Sequence, residues 1–228
     1  NALGNIFYSE TLTVKAPENS YAYKYLEYYN ERYPDSQESI TLEADGVAKN
    51  KVARFGYMGD NAFYAMYENA KGNWKMVISG TGAMYNWSET NVPPWYYRGE
   101  YISSVTIGEG ITTIGKYAFC DRDDIKNVTI GSSVTDIGDY AFQNCDGLTT
   151  VTIPDSVINI GICAFEECVN LVELKIGNGV IGIGEKAFRH CEKLANVIIP
   201  DNVTYLGKSA FQGCTSLKSV TVPESVIT

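Results

Sequence analysis

From residue 102 onward the chain repeats itself every 23 residues, with no gap needed to keep the copies in step. Units open at Ile102, Ile125, Leu148, Leu171, Leu194 and Leu217, making five complete units and a twelve-residue remainder. A segment this short cannot hold a core alone, because ordering it costs more than its few apolar side chains recover. Stacked copies escape that limit: each covers its neighbours' apolar faces and pairs its backbone with theirs. The period therefore demands a solenoid.

Within a unit, apolar residues alternate three and five places after the start, as in Val105 and Ile107 or Val151 and Ile153, which predicts a short strand. Gly108, Gly131, Pro154, Gly177, Pro200 and Pro223 then mark a chain reversal. A second extended segment follows, pointing residues such as Val157 and Ile160 inward, before Gly115, Gly138, Gly161, Gly184 and Gly207 turn the chain again. Each unit closes on an Ala-Phe pair, at 118–119, 141–142, 164–165, 187–188 and 210–211. We read this closing segment as one helical turn, which stacks the five Phe rings into a spine.

The segment LTTVTIPDSVINIGICAFEECVN, residues 148–170, resembles the BspA-like leucine-rich repeats of bacterial surface and secreted proteins. The resemblance covers residues 102–228 and implies an α/β leucine-rich-repeat solenoid of short strands and one-turn helices, used for adhesion or protein binding. MVISGTGAMYNW, residues 76–87, followed by Pro94 and Trp95, resembles the module that precedes the first repeat in such proteins. We therefore expect residues 41–101 to form a small α+β N-terminal cap over the array's open edge. Residues 11–34 resemble the strand and helix that close such arrays, which places a closing unit at 1–40. Ser20 or Asn19 would cap that helix, its apolar stripe would use Tyr21, Tyr25 and Tyr29, and Pro34 would end it. On this reading the chain is one section of a longer modular protein, displayed outside the cell or on a bacterial surface.

Charge narrows the partners. The formal charge of -9 repels a polyanion, and the 18 Lys and Arg residues are scattered, so nucleic acid is not expected. No run approaches the length of apolar sequence that spans a bilayer, so membrane insertion is not expected either.

No residue set carries the marks of catalysis or of a metal or cofactor site. Cys145, Cys168, Cys191 and Cys214 share one repeat position, and a 23-residue spacing predicts a ladder of buried thiols rather than zinc ligands. Cys163 falls where other units carry Tyr117, Tyr140, Lys186 and Ser209, so it is expected to be more exposed and more reactive. His190 stands alone at a polar position without a positioned nucleophile. Gly80-Thr81-Gly82 lacks the third glycine of a dinucleotide loop, because Tyr85 occupies that place. Asp121, Asp123 and Asp124 lack the Gly and closing Glu of a calcium loop.

Two surfaces remain for a partner. If the first strand of each unit lines the concave face, its outward side chains are Ser104, Thr106, Asn127, Thr129, Thr150, Thr152, Glu173, Lys175, Asn196, Ile198, Ser219 and Thr221. These form a mostly small, polar strip suited to a broad protein surface. Ile158, Ile162 and Ile181 replace polar residues of neighbouring units and make a candidate apolar contact patch for self-association or a neighbouring module. Trp74, Trp87, Trp95, Tyr96 and Tyr97 serve either as cap core or as a glycan platform.

Overall fold

Each 23-residue unit lays down one coil, and parallel pairing joins coils in a continuous row on one side and in separate pairs on the other. The computed structural model describes residues 11–15, 39–43, 52–68, 73–96 and 101–227. β1 (Thr11–Lys15) and β2 (Ser39–Glu43) pair in parallel. The helix expected over 19–34 lies outside the described residues.

β3 (Val52–Tyr57), β4 (Asn61–Glu68) and β5 (Trp74–Ala83) form an antiparallel meander. The first coil then contributes β6 (Ile102–Ile107) and β7 (Ile111–Ile114), and the second β8 (Asn127–Ile130) and β9 (Asp136–Ile137). β10 (Thr150–Thr152) and β11 (Asn159–Ile160) follow, then β12 (Glu173–Lys175) and β13 (Gly182–Ile183), and last β14 (Tyr205–Leu206). One side of the solenoid carries the parallel row β7, β9, β11, β13 and β14. The other carries β6 with β8 and β10 with β12, continued by a single bridge from Glu173 to Asn196.

β5 covers the first coil on both sides. Its start pairs in parallel with β6, and its end pairs with β7. Gly80 and Gly82, both at positive φ, let one strand bend from the first row to the second. A single upstream strand thereby pairs with both strands of the first coil.

The closing segment of each unit is not a helical turn. Among the described residues the structure contains strands and turns and no helix, so both the one-turn helices and the helical part of the α+β cap are corrected there. The amides show why. The N–H groups of Ala118 and Cys120 bond within their own coil, whereas those of Tyr117, Phe119 and Asp121 donate to carbonyls one coil ahead. A helix would spend every amide on its own carbonyls; here alternate amides stitch coil to coil. The stitching requires left-handed backbone at each end of the segment, at Tyr117, Tyr140, Cys163, Lys186 and Ser209 and again at Asp121, Asn144, Glu167 and His190. An α-helix cannot pass through such residues.

Inside this frame Phe119, Phe142, Phe165 and Phe188 are fully buried. Neighbouring rings lie 5.1 to 5.4 Å apart and within 14° of parallel, and the spine ends on the part-buried Phe211. The column of glycines at 115, 138, 161, 184 and 207 exists for close approach rather than for φ: a Cβ on Gly115 would stand 1.8 Å from the Tyr85 carbonyl oxygen.

Candidate partner-binding surface

Register sets the outward positions side by side within the first two coils and again within the third and fourth. Ser104 lies beside Asn127 and Thr106 beside Thr129, while Thr150 lies beside Glu173 and Thr152 beside Lys175. Between them Val105, Val151 and Leu174 turn inward and are buried, as period-two alternation requires. Thr106, Asn127, Thr129, Thr150, Thr152, Glu173, Lys175, Asn196, Ile198, Ser219 and Thr221 are exposed, and Ser104 is half-buried. Ile198 stands out at 84 % exposure on an otherwise polar strip.

The three isoleucines of the apolar patch are all exposed, at 40 % for Ile158, 43 % for Ile162 and 46 % for Ile181. Ile158 and Ile181 sit on adjacent coils, where the Ile181 amide donates to the Ile158 carbonyl at 2.9 Å. Ile162 follows Ile158 in the same coil, beyond the Gly161 turn.

All six cysteines are buried free thiols. The four in the column do more than fill space: Cys145, Cys168, Cys191 and Cys214 each donate to the carbonyl oxygen of the spine phenylalanine one coil earlier, at 3.1 to 3.3 Å. Burial pushes the thiols of Cys145 and Cys168 well above the ordinary range. Cys163 departs from its expectation. It is buried, and burial, reinforced by Glu166, pushes its thiol up to about 12, so it is not a reactive, accessible nucleophile.

The aromatic cluster divides. Trp95 is fully buried, stacked on Phe119 at 5.9 Å, with Tyr64 and Trp87 against it edge-on. Its indole N–H donates to the Ala118 carbonyl, so it serves as the first member of the phenylalanine spine. Trp74, Trp87 and Tyr96 are part-buried, and Tyr97 lies outside the described residues. His190 is part-exposed at a left-handed φ of 58°, with its ring close against Gly213.

Sequence reasoning overlooked Arg122. It occupies, in the first unit, the position that carries cysteine in the next four, and that departure was the available signal. Arg122 is buried, grips Asp124 through two hydrogen bonds of 3.1 and 2.8 Å, and donates to the Trp95 carbonyl at 2.9 Å. Asp124 in turn accepts from the Ile102 amide. Asp124 thus joins the first coil, through Arg122, to the segment that carries Trp95. Among the described residues no group of three or more His, Cys, Asp or Glu side chains converges as a metal site, and no helix is long and apolar enough to cross a membrane.

The chain matches the family model described as BspA type leucine rich repeat region, in six copies, over residues 90–218. No curated protein matches it. Among solved structures, the T. pallidum leucine rich repeat protein TpLRR is 23% identical with a TM-score of 0.53, covering 71% of this chain and 80% of that one. A leucine rich cell surface protein from Faecalibacterium prausnitzii is 25% identical with a TM-score of 0.46, covering 72% of this chain and 54% of that one. The pneumococcal vaccine antigen PcpA is 22% identical with a TM-score of 0.49, covering 76% of this chain and 51% of that one. The chain therefore spans about half the length of the last two proteins. The likeness to the T. pallidum protein shows the repeat fold.

Proposed function

This chain belongs to the BspA-type leucine-rich-repeat family, and from that membership we propose that it is a secreted or surface-displayed module that binds a protein partner and performs no catalysis. The observation that carries this reading is the strip of outward strand positions. Parallel register sets small polar side chains at regular spacing on one face, with the opposite charges of Glu173 and Lys175 and the exposed Ile198 giving it chemical features to recognise. Such a face is broad and shallow, which suits another protein's surface better than a small molecule. In this reading residues 41–101 cap the array, 102–228 present the strip, and 1–40 belong to an array-closing unit.

Site-resolved photo-cross-linking tests it. A photoreactive residue at Thr152 is expected to capture an extracellular protein, and unlabelled chain should compete that product away. Glu173→Arg with Ile198→Ser should abolish it, while a probe at the exposed Lys208, off the strip, should give no such product. Equal capture from both positions would remove the strip as the binding face and leave a spacer role.

The exposure of Ile158, Ile162 and Ile181 favours a second contact, self-association through that patch. Ile158→Ser with Ile162→Ser should convert an associated form to monomer in sedimentation; an unchanged oligomeric state counts against the patch.

A further inference from the structure

A cavity of about 80 Å³ opens where the cap meets the first coil. Glu89, Val92, Pro93, Tyr96, Tyr117 and Asp121 contribute to its walls. The surrounding segment is held in place rather than draped: the Trp87 amide donates to the Lys116 carbonyl at 2.9 Å, and the Lys116 amide returns a bond to Asn86 Oδ1 at 2.9 Å.

The walls combine two chemistries. Tyr117 lines the cavity and stacks on Tyr140, the two rings 4.6 Å apart and 13° from parallel. Asp121 is fixed there by two donors, the Tyr96 hydroxyl at 3.1 Å and Asn144 Nδ2 at 2.6 Å. Glu89 is exposed at the mouth, and its charge is felt at both Tyr117 and Cys120. No lysine, arginine or histidine lines the cavity. Aromatic rings and carboxylates around a space of a few heavy atoms form the environment that a cationic head group prefers.

Beyond Asp121 an open trough of about 340 Å³ continues across the next coils, lined by Asp123, Asp146 and Glu167 and again by no cation. Burial first, and then the nearby charge of Asp123, push the Asp146 carboxyl up.

We propose that this junction cavity receives an arginine side chain of a protein partner, its guanidinium bridging Glu89 and Asp121 against Tyr117 while further basic residues of the same segment follow the acidic trough. The proposal rests on the reading of the chain as a protein-binding module and adds to it a second, charge-selective contact. Arginine fits better than lysine because a planar guanidinium stacks on a ring and presents donors to two carboxylates at once. An acidic segment would meet the like charges of Glu89 and Asp121, and a neutral one would forgo the ion pair.

The test uses the full chain and a fluorescent Gly-Arg-Gly-Gly-Arg-Gly peptide, with lysine and citrulline versions, read by anisotropy. The arginine peptide should bind, more weakly as salt is raised, and its citrulline version at least about tenfold more weakly. Glu89→Gln, Tyr117→Ser and Asp121→Asn should each weaken binding several-fold, whereas Asp201→Asn, an exposed acid elsewhere, should not. The last two cavity changes copy residues that this chain already carries at the equivalent positions, Ser209 and Asn144, so the backbone accepts them. Equal affinity for the citrulline peptide, preference for the lysine peptide, or equal loss in Asp201→Asn would overturn the proposal, as would no binding at all. Cross-linking from Thr152 reports on the strip alone, so a failed cavity with intact strip capture is told apart from a failed binding function.

Discussion

The thiol of Cys168 donates a hydrogen bond to the carbonyl oxygen of Phe142, one coil earlier, at 3.2 Å in the dry interior. Two columns of the repeat are locked together by this contact, because the carbonyl belongs to the spine and the donor to the thiol ladder. Cysteine suits the place since it is nearly as apolar as alanine yet still donates. Cys168→Ala should cost about 1 to 3 kcal/mol by leaving a buried carbonyl without its donor, measured by chemical denaturation. A neutral outcome would mean the thiol only fills volume.

Burial holds the thiols protonated. Cys120 and Cys163 are pushed up to about 12, and Cys145 and Cys168 well above the ordinary value, with burial the first cause in each. Below the ordinary thiol range, near pH 8.5, both folded and unfolded states keep the proton and stability is independent of these groups. Above it the unfolded chain ionises while the folded one does not, so stability falls with rising pH, by up to about 1.4 kcal/mol per unit for each such thiol. Denaturation at pH 7, 9 and 10 should show flat stability and then a decline, and replacing Cys168 with Ala should lessen the slope. A thiol-specific colorimetric reagent should label the six cysteines only after unfolding.

The phenylalanine spine should respond by position. Phe165 is fully buried with a ring on each side, at 5.1 and 5.4 Å, so Phe165→Ala should cost about 3 to 5 kcal/mol. Phe211 is only part-buried and stacks on Phe188 alone, so the same change there should cost distinctly less. Equal losses would show that stacking along the spine is not what the rings contribute.

Removal of Arg122 should loosen the cap before the array. Arg122→Met strands the buried Asp124 carboxylate and takes the donor from the Trp95 carbonyl, a change expected to cost about 3 to 5 kcal/mol. Tryptophan fluorescence, which reports on the cap because all three tryptophans lie upstream of the repeats, should then shift at lower denaturant than the array's far-ultraviolet signal. Coincident transitions would show that the clasp stabilises the whole chain as one unit.

Gly161→Ala tests the glycine column. A Cβ there would come within 2.6 Å of backbone atoms of Gly138 and Asp139, which moving the Asp139 side chain, at 2.8 Å, would not relieve. The coils must separate locally, so the melting temperature should fall by several degrees, consistent with a loss of about 1 to 3 kcal/mol.

The period, the inward Val, Ile and Leu positions, the buried Phe spine and the thiol ladder were all determined by the sequence, because a strict repeat forces equivalent residues into equivalent environments. Whatever breaks or crosses the repeat was not. The closing turns read as helical because Ala-Phe segments have ordinary helix propensity; their alternate amides instead serve the next coil, a choice made only when a neighbour is present. Cys163 looked exposed from its column mates, yet it is buried. The Arg122 clasp joins residues 27 apart in sequence, and the cavity between cap and Tyr117 is formed by a loop that follows no period. Contacts between unlike elements depend on how those elements dock, which local pattern does not encode, so tertiary structure alone decided them.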